Sequence, residues 1–193
     1  ASQEITTSNG KKIKTKKNER NNEFKEKYLS LPVQEFLMKS YEICTPNKYG
    51  QLFPKKILKD CGSMIGEMSP LLDRGDLHIR RELFFEAKIS YKGLKGKYNI
   101  VNIRPWQKLD YYILCFVDIE DNFNPKFYCV PHDAIINNSK INLNGMNNTK
   151  EINKHNTYVG MRTTIDSLDI EWVFKEHNLL KTTSYKSLLS FIK

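Results

Sequence analysis

Seven consecutive residues, Tyr112-Ile113-Leu114-Cys115-Phe116-Val117-Asp118, stay apolar until the closing aspartate. In an extended chain successive side chains point to opposite faces, so a run that is apolar at every position has two faces to bury. It therefore suits a central strand covered on both sides, and helical patterns before and after it predict an α/β, α+β-like sandwich around a mixed sheet.

A second run, residues 83–91, alternates. Leu83, Phe85, Ala87, Ile89 and Tyr91 share one apolar face, and Phe84, Glu86, Lys88 and Ser90 share the other. A carboxylate and an ammonium thus project side by side from an oily strand, an arrangement that is costly unless the charges pair or hold a metal. Asp76 follows Gly75 and precedes a short alternating run, Leu77-His78-Ile79. A hairpin or bend between the two runs brings Asp76 beside Glu86. Carboxylates on adjacent strands are hard oxygen ligands of the kind Mg²⁺ takes, with water and phosphate filling its other positions. A neighbouring lysine can orient an attacking water or offset charge on phosphorus.

Asp76 followed by Glu86-Ala87-Lys88 resembles the PD-(D/E)xK nuclease signature, and its setting is similar to that of type II restriction endonucleases. The resemblance spans roughly residues 49–118, with Gly75-Asp76 standing where the family often shows Pro-Asp. It implies a restriction-endonuclease-like fold and Mg²⁺-dependent hydrolysis of double-stranded DNA at a short specific sequence. Asp76, Glu86 and Ala87 would be metal ligands, and Asp76, Glu86 and Lys88 catalytic residues. The family often adds an acid on a helix before the first catalytic strand; Glu67 is the nearest candidate, with Glu42 behind it. Gln107 and Tyr111 are spaced like the Q-x-x-x-Y element of some members, which nominates Gln107 as a supporting residue. Cutting both strands of a palindromic site would call for a homodimer, and a restriction enzyme would act in a prokaryotic cytoplasm.

The 193 residues are enough for one domain with a substantial core, expected over residues 21–193 after a basic arm at 1–20. Lys11, Lys12, Lys14, Lys16, Lys17 and Arg20 crowd that arm, which is expected to be mobile and suited to a DNA backbone or simply to solvation. Thirty-one Lys and Arg against 22 Asp and Glu leave +9, so a polyanion is the natural partner. Cys44, Cys61, Cys115 and Cys129 lack C-x-x-C spacing and read as buried reduced thiols. No apolar run reaches the roughly 18 residues of a membrane span, and the first residues lack a signal-peptide core.

Pro32 opens a helix that places Val33, Phe36, Leu37 and Tyr41 near one face. Thr45-Pro46-Asn47-Lys48-Tyr49-Gly50 reads as a break, and a second helix is expected over 53–68. Tyr91-Lys92-Gly93-Leu94-Lys95-Gly96-Lys97-Tyr98-Asn99 reads as a basic loop. Its Lys92, Lys95, Lys97 and Asn99 face DNA, or it is a hairpin tip. Arg104 clamps phosphate, reads guanine or forms a salt bridge at a helix start.

A strand over 126–130, a short helix from Pro131 and an Asn- and Lys-rich loop over 137–157 follow. The loop reads bases or reflects genome composition. A strand near 158–165, a helix capped by Asp166 and a terminal helix over 184–192 complete the chain. His132-Asp133 reads as a helix cap more than as an acid/base pair, and His155-Asn156 falls short of an HNH unit. Three alternatives stay open: a structure-selective or repair nuclease, a non-catalytic DNA-binding protein, and a module for an acidic protein.

Overall fold

The computed structural model describes residues 4–6, 12–14, 26–62, 65–67, 74–93, 95–103, 107–137, 143–144, 161–165, 171, 175–176 and 180–192. Arg104, Asp73, His155, Asp166 and most of the 137–157 segment lie outside them. Within the basic arm, β1 (Glu4–Thr6) pairs antiparallel with β2 (Lys12–Lys14).

The first helix, α1 (Val33–Ile43), begins after Pro32 as expected and buries Phe36, Leu37 and Ser40. The second, α2 (Pro46–Cys61), starts well before residue 53. Thr45 caps it, its Oγ1 accepting from the Lys48 N–H at 3.3 Å, and Pro46 occupies the first turn, where its missing N–H costs nothing. The supposed break is therefore the helix start, and Pro54 lies inside the helix. Lys56 is buried at 3% exposure, and its Nζ donates to the Leu29 and Leu31 carbonyls at 2.7 and 2.6 Å and pairs with Asp60 at 3.0 Å. The helix stops at Gly62, whose φ of 81° suits a residue without Cβ. Residues 65–67 are consequently a strand, β3 (Ile65–Glu67), and the helix expected to carry Glu67 does not extend to it.

A six-stranded mixed sheet has the order β11-β8-β7-β5-β4-β3. Its members beyond β3 are β4 (Leu77–Ile79), β5 (Leu83–Tyr91), β7 (Tyr111–Asp118), β8 (Asn124–Pro131) and β11 (Lys181–Thr182). Strands β3, β4 and β5 form an antiparallel meander, β5 runs parallel to β7, and β8 returns antiparallel. All residues from Tyr112 to Val117 are at most 3% exposed, so β7 is the two-sided central strand that its composition predicts.

Ile113, Cys115 and Val117 pack with Phe36, Phe53 and Ile57 on the helical side of the sheet. There α4 (Tyr185–Ile192) buries Leu188 and Ile192, and the Tyr185 hydroxyl donates to Asp60 Oδ2 at 2.7 Å. The terminal helix thus packs on the sheet. Tyr112, Leu114 and Phe116 face the other way, into a core with Phe84, Ile100, Ile103 and Tyr128.

That second face differs from the expected helical layer. Among the described residues it carries β6 (Tyr98–Ile103), which pairs with β10 (Met161–Ile165), itself paired with β9 (Leu143–Asn144), and a short helix, α3 (His132–Ile136). Gln107 and Tyr111 do not share a helical turn, because Tyr111 begins β7. Asp110 sets that start: its N–H donates to the Phe84 carbonyl at 2.9 Å, and its Oδ2 accepts from the Phe84 N–H at 2.8 Å.

His132 does not cap the short helix, whose N-cap is Pro131. It is buried, with Nδ1 3.0 Å from the Tyr112 hydroxyl, while Asp133 is exposed. The four cysteines are buried and free, as their spacing predicts.

Candidate active site

The β4–β5 hairpin builds the site. Leu77 pairs with Phe85 and Ile79 with Leu83, which places Asp76, one residue before β4, beside the middle of β5. The connecting turn holds Arg80 and Arg81 at φ of 50° and 58° and closes with the Glu82 N–H on the Ile79 carbonyl at 2.9 Å. At the other end the Asp76 N–H donates to the Phe85 carbonyl at 2.7 Å, and Asp76 Oδ2 accepts from the Ala87 N–H at 2.9 Å. The two carboxyl-bearing segments are thereby locked together by one backbone bond at Phe85 and one side-chain-to-backbone bond at Ala87, on either side of Glu86.

Gly75 makes this approach possible. Its φ is 86°, and a Cβ there would stand 2.3 Å from the Phe85 carbonyl oxygen. Proline, confined to φ near −65°, cannot adopt this backbone. The Gly-Asp pair is therefore a geometric requirement of this chain.

Alternation along β5 carries Glu86 and Lys88 to one face, as expected, away from the face on which Phe85 and Ala87 pack with Phe36, Phe53 and Ile57. Lys88 Nζ lies 3.1 Å from Glu86 Oε1, each side chain being 14% exposed. Gln107 Nε2 donates to Glu86 Oε2 at 3.2 Å. Gln107 is 6% exposed, and its Oε1 has no hydrogen-bond partner among the described residues. Gln107 thus reaches the acid as nominated, from an irregular segment entering β7 and not from a helix.

Asp76, Glu86, Ala87 and Lys88 line one cavity of about 580 Å³, together with residues of α2 and Asn99 of β6. The Asn99 N–H donates to Ser90 Oγ at 2.9 Å, anchoring β6 over the end of β5. Of the nominated DNA contacts, Asn99 lies at this cavity. Lys92 instead pairs with Asp118 at 3.3 Å and lines a second cavity with Asp121 and Lys126. Lys95 and Lys97 are exposed on the turn, which closes with the Gly93 N–H on the Lys97 carbonyl at 2.9 Å.

The register puts Glu67 opposite Leu77 on an edge strand, with its side chain outside the described residues. Glu42 is exposed on α1. Among the described residues no cluster of three or more His, Cys, Asp or Glu side chains is assembled. The donor set is therefore two carboxylates at the wall of a cavity wide enough for water and phosphate oxygens. That fits Mg²⁺, which commonly takes one or two protein carboxylates and keeps several waters.

The α2 wall is not legible in the sequence as part of the site, because residues 45–50 read as a break. Tyr49 and Tyr91 meet there with ring centroids 4.9 Å apart, and burial raises the Tyr49 phenol to about 12, with a smaller contribution from Tyr41. The Tyr91 hydroxyl donates to the Leu37 carbonyl at 2.7 Å, and its phenol is raised first by burial. Both rings stay neutral at physiological pH and serve as walls.

No protein-family model and no curated protein matches the chain. Among the described residues no helix is long and apolar enough to cross a membrane.

Proposed function

We propose that the chain is a Mg²⁺-dependent endonuclease of restriction type, hydrolysing phosphodiester bonds of double-stranded DNA at a short specific sequence. One observation carries the reading: Asp76 is bonded to the N–H of Ala87, between Glu86 and Lys88, and all four residues line one cavity. Asp76 and Glu86 would hold the ion. Bound there, Mg²⁺ would neutralise charge on the phosphate and activate water for attack on phosphorus. Lys88 serves the attacking water and the developing charge, and Gln107 fixes the orientation of the Glu86 carboxylate through Oε2.

The net charge of +9 favours a polyanionic substrate. The mixed sheet with the acid pair near its middle is consistent with the nuclease resemblance. Action in a prokaryotic cytoplasm and a homodimer cutting both strands belong to the same proposal. A dimer would sediment at twice the mass of the chain.

Incubation with a mixed-sequence plasmid and phage DNA, in Mg²⁺ and in EDTA, beside Glu86→Ala, tests the reading. Discrete bands that require both Mg²⁺ and Glu86 support it. Comparison of plain duplex with branched or damaged DNA separates it from a structure-selective nuclease.

A second reading has its own observation. Both Glu86 oxygens are already engaged, one by Lys88 and one by Gln107, as in a purely structural pair. That reading predicts equal DNA binding in Mg²⁺ and EDTA, and no cleavage.

A further inference from the structure

The proposed chemistry uses only the β4–β5 wall of the cavity. Another wall is the start of α2, where Asn47 and Gln51 line the same space as Asp76, Glu86 and Lys88. Residues four apart on a helix lie one turn apart on one face. Both are exposed, while Phe53 and Ile57 of the same helix are fully buried against the sheet. Gly50 between them has open space where a Cβ would stand, so no described residue fills the cavity at that point. Neither side-chain amide bonds to another described residue.

The same spacing continues outward through Lys55 and Lys59, both exposed. Each step of four turns about 40° further round the helix, so Lys55 follows Gln51 on nearly the same side while Lys59 has turned about 120° from Asn47. An exposed polar face is usually only solvated. Here its first two members share a cavity with the candidate catalytic carboxylates. A side-chain amide carries a donor and an acceptor that match the N6 and N7 edge of adenine, and lysines at the surface suit backbone phosphates.

We infer that α2 is the recognition element of this site. Asn47 and Gln51 contact the base next to the phosphate held at Asp76, Glu86 and Lys88, with adenine the favoured base. Lys55, one turn beyond Gln51, holds the backbone next to it. The inference rests on the nuclease reading and specifies which residues select its substrate.

The test is Asn47→Ala/Gln51→Ala in the full chain, compared with wild type on a pool of duplexes randomised around the cut, with Mg²⁺ present and the products sequenced. Both positions are exposed on a helix, and alanine is the better helix former, so the variant folds. Wild type is expected to cut with adenine enriched next to the scissile bond. The variant is expected to cut still, with that enrichment lost and kcat/KM on the preferred site lower by roughly ten- to a hundredfold, as loss of a bidentate base contact implies. If wild type cuts and the variant keeps the same preference, or wild type cuts without preference, the inference is overturned and the nuclease reading stands. If wild type cuts no duplex in the pool, the nuclease reading falls and takes this inference with it.

Discussion

The Asp76 carboxylate accepts a 2.9 Å hydrogen bond from the backbone N–H of Ala87, the residue that separates Glu86 from Lys88. A side chain from the loop before one strand is thus fixed on the backbone of the next. The acid pair is held by main-chain geometry as well as by charge, and such a site can be dismantled without touching a charged residue.

Gly75→Ala is that test. The added methyl would stand 2.3 Å from the Phe85 carbonyl oxygen, on a residue whose φ of 86° already disfavours any side chain. The strain alone should lower stability by roughly 1–3 kcal/mol, and the clash would push Asp76 away from Ala87. Urea denaturation should show a lower midpoint with an unchanged slope, and Mg²⁺-dependent cleavage should be lost. An unaltered midpoint would show that the loop relaxes freely and that Gly75 is not the constraint.

Lys88→Met keeps an unbranched apolar stem in place of the lysine and removes the cation. Loss of one charge-stabilising group at a reaction centre slows turnover roughly 10²- to 10³-fold, and single-turnover cleavage of a preferred duplex should show a loss of that size. Equal rates for Lys88→Met and wild type would assign the 3.1 Å Lys88–Glu86 pair a structural role only.

The legible parts of the fold are those where burial follows a short sequence period. The alternation of Leu83, Phe85 and Ala87 against Phe84, Glu86 and Lys88 predicts the two faces of β5, and the unbroken run from Tyr112 to Val117 predicts a strand covered on both sides. The missed parts depend on partners far along the chain. Gly50 resembles punctuation, yet α2 runs through it because Phe53 and Ile57 are buried against Ile113, Cys115 and Val117 of the distant β7. The three residues of β3 have no strand signal of their own and are held by pairing with β4. Gln107 reached Glu86 without the expected helical turn, because the Asp110 bonds to Phe84 start β7 just after it. The acid pair was readable from its strand; the α2 wall of its cavity was not.

Gln107→Met should separate positioning from stability. Gln107 is 6% exposed and already leaves Oε1 without a partner among the described residues, so replacing the amide by an apolar chain removes that cost along with its bond to Glu86. Net stability should change by less than about 1.5 kcal/mol. Freed from Nε2, the Glu86 carboxylate loses its fixed orientation, and the Mg²⁺ concentration for half-maximal cleavage should rise several-fold, with a smaller change at saturating Mg²⁺. A purely structural glutamine would lower the urea midpoint and leave the Mg²⁺ requirement where it was.

Stability should fall on the alkaline side, and the buried thiols fix the direction. Burial pushes the Cys129 thiol up to about 12 and the Cys115 thiol well above its ordinary value, while Tyr49 is raised to about 12. In the unfolded chain thiols titrate near about 8.5 and phenols near about 10. Above those values the unfolded chain has released protons that the folded chain still holds, so stability declines as pH rises. The contribution is complete below about pH 8.5 and is lost progressively toward about pH 12, through the folded values of these groups. Urea midpoints should therefore be level between about pH 7 and 8 and fall steadily from about pH 9 to 10.5. Cys129→Ala lowers the midpoint at neutral pH by opening a small cavity, yet its alkaline decline should be shallower than that of wild type. Parallel declines in the two proteins would mean that Cys129 already ionises in the folded chain near its ordinary value, against the direction set by its burial.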